Sequence, residues 1–413
     1  MNYLREIKNL DRELRYMKIL IFSQYYYPEQ VQINEIAPAL VKRGHEVTVV
    51  TGLPNYPSGV IAEEYVNFKE EYEIIDGIRV IRCPIRPRKR GLFNLFLNYL
   101  SYMFLANKKV KKLGKYDVVF SYQLSPITQA TPAVKYKKRY GTRLILYCLD
   151  LYPLSGKAHY KKVPFMYSCV HAMSKSIYNS ADVVAVSSET FMDYLSEVND
   201  VSLERMVYLP QHADASFADT DVSAVDNGVV DFLFAGNIGR GPRLETLVEA
   251  VRLLRDENGF KVHIVGNGSN LEALKDLVSG YSLDEKFEFH GYHKRDEMLQ
   301  FYKLADVLYI SLRKGNLTLP GKFQMYLSTG KPIVGAIDGA ACKIIDALQC
   351  GAYAPAEDAE QLAEVMRPYI RGTAPAVDSD TIKKFFMENY TLERYVERLE
   401  TLLVGGENET SGD

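Results

Sequence analysis

The chain has 413 residues, 47% of them hydrophobic, which is long for one domain and comfortable for two, each with its own core. A formal net charge of −2 gives no general reason to expect nucleic acid, and no run of about twenty apolar residues exists to cross a membrane. Cys83, Cys148, Cys169, Cys342 and Cys350 are scattered without a CxxC pair, which argues against a disulfide framework and a structural zinc site and suits a reducing compartment.

The first sixteen residues, of mixed charge, read as a short extension and not as a secretory signal. MKILIF, from Met17 to Phe22, has the look of a buried parallel strand. A polar loop follows, then a helix from Gln32 to Lys42 that ends at the cap signal Arg43-Gly44, with Pro38 implying a late start or a kink. His45 to Thr51 completes a βαβ unit. Ile78 to Cys83 reads as a strand and Leu92 to Ala106 as a helix. Val118 to Tyr122, Arg143 to Cys148 and Ala181 to Val186 read as further strands. The alternation predicts a doubly wound α/β domain over 17–206.

Residues 207–228 turn polar and read as a linker. A second alternating series then defines a domain over 229–380. Its strands are Phe232 to Ala235, Lys261 to Val265, Lys286 to His290, Val307 to Ile310 and Pro332 to Ala336, with a helix from Leu244 to Leu254. An amphipathic helix from Ile382 to Leu403, within the closing segment 381–413, is long enough to cross back to the first domain.

The motifs MKILIFSQYYYPE, LVKRGHEVTVVTGLPNYP, LDLYP, LPQHAD, FAGNIGR, VGNGS, FHGY and LPGKFQMYLSTGKPIV occur in this order. The series, from about Met17 to Tyr395, resembles the retaining family-4 glycosyltransferases of GT-B fold, most closely their O-antigen and capsule subgroup with fucosamine-transferase-like members. The ordered set is specific for the fold and much less so for the sugar. The resemblance implies two Rossmann-like domains facing a central cleft, with the acceptor on the first and a nucleotide-sugar donor on the second. It also implies retention of configuration and no metal or other cofactor beyond the donor itself.

A departing diphosphate needs cations and free N–H groups at a helix start. Gly236, Asn237, Gly239 and Arg240 sit in a strand-to-helix turn suited to that task; the plain alternative is an ordinary turn with a solvated arginine. Where the family commonly has a lysine two residues after Arg240, this chain has Pro242, followed by Arg243 as a substitute cation. Leu319, Pro320 and Lys322 lead into a predicted helix whose dipole opposes a lysine in the first turn, unless an anion binds there. The family's paired glutamates correspond to Leu317 and Met325, so neighbours such as Asn316, Thr318 and Gln324 take over the ribose, the donor sits differently, or activity is reduced or lost. Gly266, Asn267 and Tyr292 complete the donor candidates, each equally readable as turn chemistry.

On the acceptor side, Asp150 follows a strand at its C-terminal end, where a carboxylate can bind a hydroxyl or merely cap a helix. Tyr25, Tyr26, Tyr27, Gln32 and Asn34 lie in and just after the first loop and suit a saccharide, or else pack the loop. Catalysis is assigned to Asp150, Arg240 and Lys322. The basic run Arg86 to Arg90, the aromatic helix after it and the lysines from Lys108 to Lys115 mark 86–115 as a peripheral membrane contact, or a buried helix with solvated ends.

The combined expectation is a cytoplasmic, membrane-surface hexosyltransferase moving a sugar from a UDP-linked donor to a lipid-linked saccharide in surface polysaccharide synthesis. The competing readings are a non-catalytic partner subunit and a nucleotide-sugar epimerase.

Overall fold

The computed structural model describes residues 16–156, 164–224 and 227–405; the remainder of the expected N-terminal extension, residues 1–15, lies outside them. The chain forms two compact units, Met1–Leu209 with Val396–Asp413, and Pro210–Tyr395.

The first unit is built on eight strands: β1 (Lys18–Phe22), β2 (Glu46–Gly52), β3 (Glu73–Ile75), β4 (Ile78–Cys83), β5 (Val118–Gln123), β6 (Arg143–Cys148), β7 (Val183–Val186) and β8 (Met206–Tyr208). Their order is β3-β4-β2-β1-β5-β6-β7-β8, parallel throughout except for the antiparallel edge strand β3. The central strands are apolar runs because helices cover both faces; every residue of β5 is buried. Chain order reverses between β1 and β5, and at such a switch point the loops after the two strands diverge and leave a crevice. The helix Ile33–Lys42 keeps Pro38 inside it, and Gly44, at φ +95°, turns the chain back so that its N–H reaches the Val41 carbonyl at 2.9 Å.

The second unit holds β9 (Val230–Ala235), β10 (Phe260–Val265), β11 (Phe287–Gly291), β12 (Val307–Ser311), β13 (Ile333–Ala336) and β14 (Gly351–Ala354). They form an all-parallel sheet, β11-β10-β9-β12-β13-β14, which switches between β9 and β12. Alternation along β9 sends Phe232 and Phe234 into the core on one face and Leu233 and Ala235 into the core on the other.

Two segments differ from the sequence expectation. Val207 and Tyr208 of the expected linker lie in β8, and Phe217 and Val222 are buried in the second unit's core, so apolar anchors hold much of that polar stretch in place. The expected helix 382–403 is two helices, Ser379–Asn389 and Leu392–Val404. The break has a capping cause: the Thr391 hydroxyl accepts the Arg394 N–H at 3.2 Å and starts a new helix. From Val396 that last helix belongs to the first unit, where Glu400 meets Arg43 at 2.6 Å and His45 at 2.9 Å.

β9 and β12 pair only at Val307–Phe232 and Leu308–Leu233, so the sheet opens toward its carboxyl end. There the buried Tyr326 hydroxyl accepts the Ala235 N–H at 3.0 Å, in place of a ladder bond. Tyr326→Phe is expected to lower unfolding free energy by about 1–3 kcal/mol in a denaturant titration, because it strands a buried donor.

Candidate donor and acceptor sites

In the second unit the candidate donor residues gather at the switch point. Ile238 is buried and pins the loop after β9: its N–H donates to the Asn267 carbonyl at 2.9 Å, and its own carbonyl accepts from the Asn270 N–H at 2.9 Å. Two glycines permit this contact. A Cβ on Gly266 would stand 1.9 Å from the Gly236 carbonyl oxygen, and one on Gly236 would stand 2.8 Å from Nζ of Lys322. Both take φ above +140°, which side chains disfavour. Gly236, Gly266, Asn267 and Lys322 are thus brought together, with Asn237 exposed at the loop's edge.

Lys322 lies in the first turn of the helix Gly321–Thr329, which no side chain caps. Its ammonium nitrogen is buried, has no hydrogen-bond partner among the described residues and stands 3.9 Å from the centroid of the Phe234 ring. Burial alone pushes its pKa down from an ordinary 10.5 to about 7. Desolvation, the helix dipole and the missing counter-ion all disfavour the charged form, and a bound anion would relieve all three.

The remaining donor candidates divide. Arg240 and Tyr292 are exposed, and Arg240 makes no ion pair among the described residues. Arg243 turns at φ +50° toward Glu357, 3.4 Å away, and that carboxylate also accepts the Lys314 N–H at 3.1 Å. The substitute cation foreseen from sequence is therefore engaged, while Arg240 stays available. The Asn316 side-chain oxygen accepts from both the Thr318 N–H (2.9 Å) and its hydroxyl (2.8 Å). Leu319 is buried in the core and Met325 packs against it, while Pro320 precedes the helix. Gln324 is fully buried; with its amide nitrogen turned to the helix start it donates to the Pro320 and Gly321 carbonyls at 2.8 and 3.1 Å. It is committed to that helix end, which removes it as a substitute for the family glutamate.

In the first unit Asp150 follows β6. Its carboxylate accepts the Ser125 hydroxyl at 2.7 Å, and Ser125 accepts from Tyr152 at 3.0 Å. The Asp150 backbone carbonyl is held by Gln123 (3.1 Å) and Tyr178 (3.3 Å). Of the loop tyrosines, Tyr25 and Tyr26 are buried, and only Tyr27, half exposed, reaches solvent. Burial raises the Tyr99 pKa; a bond to Tyr25 and the Arg88 charge counter it, and the nearby Asp150 charge adds to it. Gln32 is half-buried, and Asn34 donates its amide to the Glu29 carbonyl at 2.6 Å.

Sequence reasoning missed Glu29, which is buried and accepts the N–H groups of Asn55 and Tyr56 at 2.8 Å each and of Tyr26 at 3.3 Å. Desolvation raises its pKa against those three bonds. An acid beside YYYP was the available signal. Arg82, equally buried, donates to the Tyr27 carbonyl at 2.6 Å and contacts Glu73.

The helix Leu92–Lys109 buries Asn98, Tyr102 and Ala106. Opposite them it exposes Phe93, Phe96 and Phe104, at 73%, 54% and 64%. Arg86, Lys89 and Arg90 precede this stripe and Lys108, Lys111, Lys112 and Lys115 follow it. Among the described residues no helix is long and apolar enough to cross a membrane.

Comparison with known proteins gives these sites a class. Residues 30–212 match the family described as glycosyl transferase 4-like domain, and residues 230–371 the family described as glycosyl transferases group 1. The chain belongs to these group 1, GT4-like glycosyltransferases of GT-B fold. A protein of Escherichia coli (strain K12) that bears the name of a colanic acid biosynthesis glycosyl transferase, WcaI, is 26% identical over 341 residues, covering 76% of this chain and 82% of that one. Two solved structures show the same fold. Sucrose-phosphate synthase from Thermosynechococcus elongatus has a TM-score of 0.72 at 16% identity, over 94% of this chain and 98% of that one. Anabaena Alr3699/HepE in complex with UDP-glucose has a TM-score of 0.66 at 14% identity, over 94% and 100%.

If an anionic donor binds the ammonium form of Lys322, affinity must depend on pH. Below pH 7 the lysine is already charged; above it, binding has to draw a proton from solvent. The dissociation constant of a UDP-sugar is expected to rise about tenfold per pH unit above neutrality, by fluorescence or calorimetric titration. Lys322→Met should flatten that dependence.

Proposed function

We propose that the chain transfers a hexose, with retention, from a nucleotide diphosphate sugar, UDP-linked, to a lipid-linked saccharide during surface polysaccharide synthesis. The observation that carries this reading is the buried, unpartnered Lys322 ammonium at an uncapped helix start. Departure of the nucleoside diphosphate places new negative charge on its terminal phosphate. Lys322, the helix N-terminus and Arg240 are suited to receive it, so the diphosphate needs no metal ion. Asp150, with Ser125 and Tyr99 nearby, is suited to orient an acceptor hydroxyl.

The relative named for colanic acid biosynthesis supports a polysaccharide role, and the UDP-glucose complex of a structural neighbour supports the donor class. Retention rests on the family resemblance. The exposed aromatic stripe between cationic ends supports attachment to the anionic inner face of the plasma membrane, where a lipid-linked acceptor lies. Co-sedimentation with anionic vesicles should be lost in Phe93→Ser/Phe96→Ser and unaffected by changes at Arg240; equal binding by both variants would remove the membrane assignment.

One observation favours a second reading. Leu317 and Met325 are apolar where the family carries glutamates, and Gln324 is committed elsewhere, which supports a non-catalytic partner subunit. An assay with UDP-, GDP- and dTDP-sugars, with and without lipid-linked acceptors, separates the readings. Mass gain on an acceptor is expected, with Lys322→Ala slowing it by about two to three orders of magnitude. Donor isomerised without acceptor would indicate an epimerase, and silence with folded protein would favour the partner subunit.

A further inference from the structure

The sequence argument against a structural zinc site concerned cysteines, but the second unit assembles a different donor set. His263 lies on β10 directly opposite Glu288 on β11, and His290 is the extra residue of a bulge in β11, between the pairs Ile264–Phe289 and Val265–Gly291, where its imidazole meets that of His263. Nε2 of His263 stands 2.8 Å from the buried carboxylate of Asp231, whose other oxygen accepts from Asn227 at 2.9 Å. An acceptor-only carboxylate holds the imidazole as the Nε2–H tautomer and leaves the Nδ1 lone pair pointing the other way. That lone pair faces Nε2 of His290 at 2.9 Å and Oε2 of Glu288 at 3.5 Å; His290 and Glu288 are 4.0 Å apart. Lys261 contacts the opposite oxygen, Oε1, and so leaves Oε2 directed at the histidines.

We propose that His263, Glu288 and His290 form a binding site for a zinc-class divalent ion. Their ligand atoms lie within 4.8 Å of one another. Ligands on a tetrahedral zinc stand about 3.3 Å apart, so each pair need move by well under 1 Å. His290 and Glu288 are free to do so, with 23% and 40% of their side chains exposed, and the same exposure admits the ion. Two imidazoles and one carboxylate suit zinc and its transition-metal neighbours; magnesium and calcium prefer all-oxygen sites. The Asp231–His263 pair supplies the outer carboxylate that metal-bound histidines habitually carry. In the metal-free protein, an Nε2–H on His290 donates to His263 Nδ1, and the ion replaces that proton as the bridge while His290 shifts tautomer.

The ion would tie the edge strand β11 to β10, one residue before Gly291, whose carbonyl accepts the Gly266 N–H at 2.7 Å. It therefore sits beside the glycine turn of the donor site, and the proposal does not depend on sugar transfer.

The test uses the full-length, untagged chain, dialysed against micromolar Zn2+ and then analysed for metal by mass spectrometry. One zinc per chain is expected, with a raised Tm that Mg2+ does not reproduce. His290→Ala should fall to background, and Glu288→Gln should bind at least about tenfold more weakly. Circular dichroism of the metal-free variants checks their folding; if His290→Ala is unfolded, Glu288→Gln, altered at a partly exposed side chain, decides. Co2+ should give visible d–d bands in the wild type that both variants lose. Substoichiometric zinc in the wild type, or equal retention in the folded variants, would overturn the proposal.

Discussion

A buried ammonium group without a counter-ion is the constraint around which the second unit is arranged. Lys322 reaches across the end of β9 only because Gly236 has no side chain there, and its nitrogen comes to rest over Phe234. The loop bearing Gly236 can lie against the neighbouring turn only because Gly266 is also bare. Tyr326, one helical turn beyond Lys322, secures the strand end with its hydroxyl. Each of these placements is locally unfavourable or demands a particular residue. A chain tolerates such a concentration of costs where a ligand relieves them. A diphosphate relieves the charge, the dipole and the desolvation together.

In the first unit the loops beside Asp150 are tied to one another by hydrogen bonds before any ligand arrives. Glu29 gathers three backbone N–H groups, Arg82 holds the Tyr27 carbonyl, and the side chain of Gln24 donates to Asn98 at 2.8 Å. The loops after β1 and β2 are thereby fixed to each other, and only Tyr27 of the tyrosine run is left facing water. Asp150 is oriented by its own backbone contacts as well as by Ser125. Such pre-formed geometry suits positioning a hydroxyl, which requires direction more than charge.

Eleven of the fourteen strands were legible because buried parallel strands are short apolar runs, and each falls within two residues of its expected limits; β3, β8 and β14, only three or four residues long, were not. The helix Thr131–Tyr140 was overlooked even though Pro132 opens it and Gly141, at φ +68°, closes it. The helices Pro164–Ser180, Thr190–Asn199, Leu271–Gly280, Ala340–Leu348 and Ala359–Ile370 were also absent from the sequence expectation. The last two helices merged in the sequence reading because apolar spacing continues through Tyr390, while a single hydroxyl at Thr391 makes the break. Lys322 was legible as a cation placed against a helix dipole. Phe234, Tyr326 and the Arg243–Glu357 pair were not, since each acts across the fold on residues far away in sequence. The histidine–glutamate cluster has no spacing signature for the same reason: its members meet only through strand pairing.

The central claim is that Lys322 loses its proton near pH 7 when the site is empty and is held charged above that pH when the donor binds. Calorimetric titration of a UDP-sugar at pH 8, repeated in buffers of different ionisation enthalpy, measures the protons taken up on binding. Uptake of about 0.9 proton per donor bound is expected for the wild type, and close to none for Lys322→Met. Donor binding by the wild type without proton uptake would contradict the account.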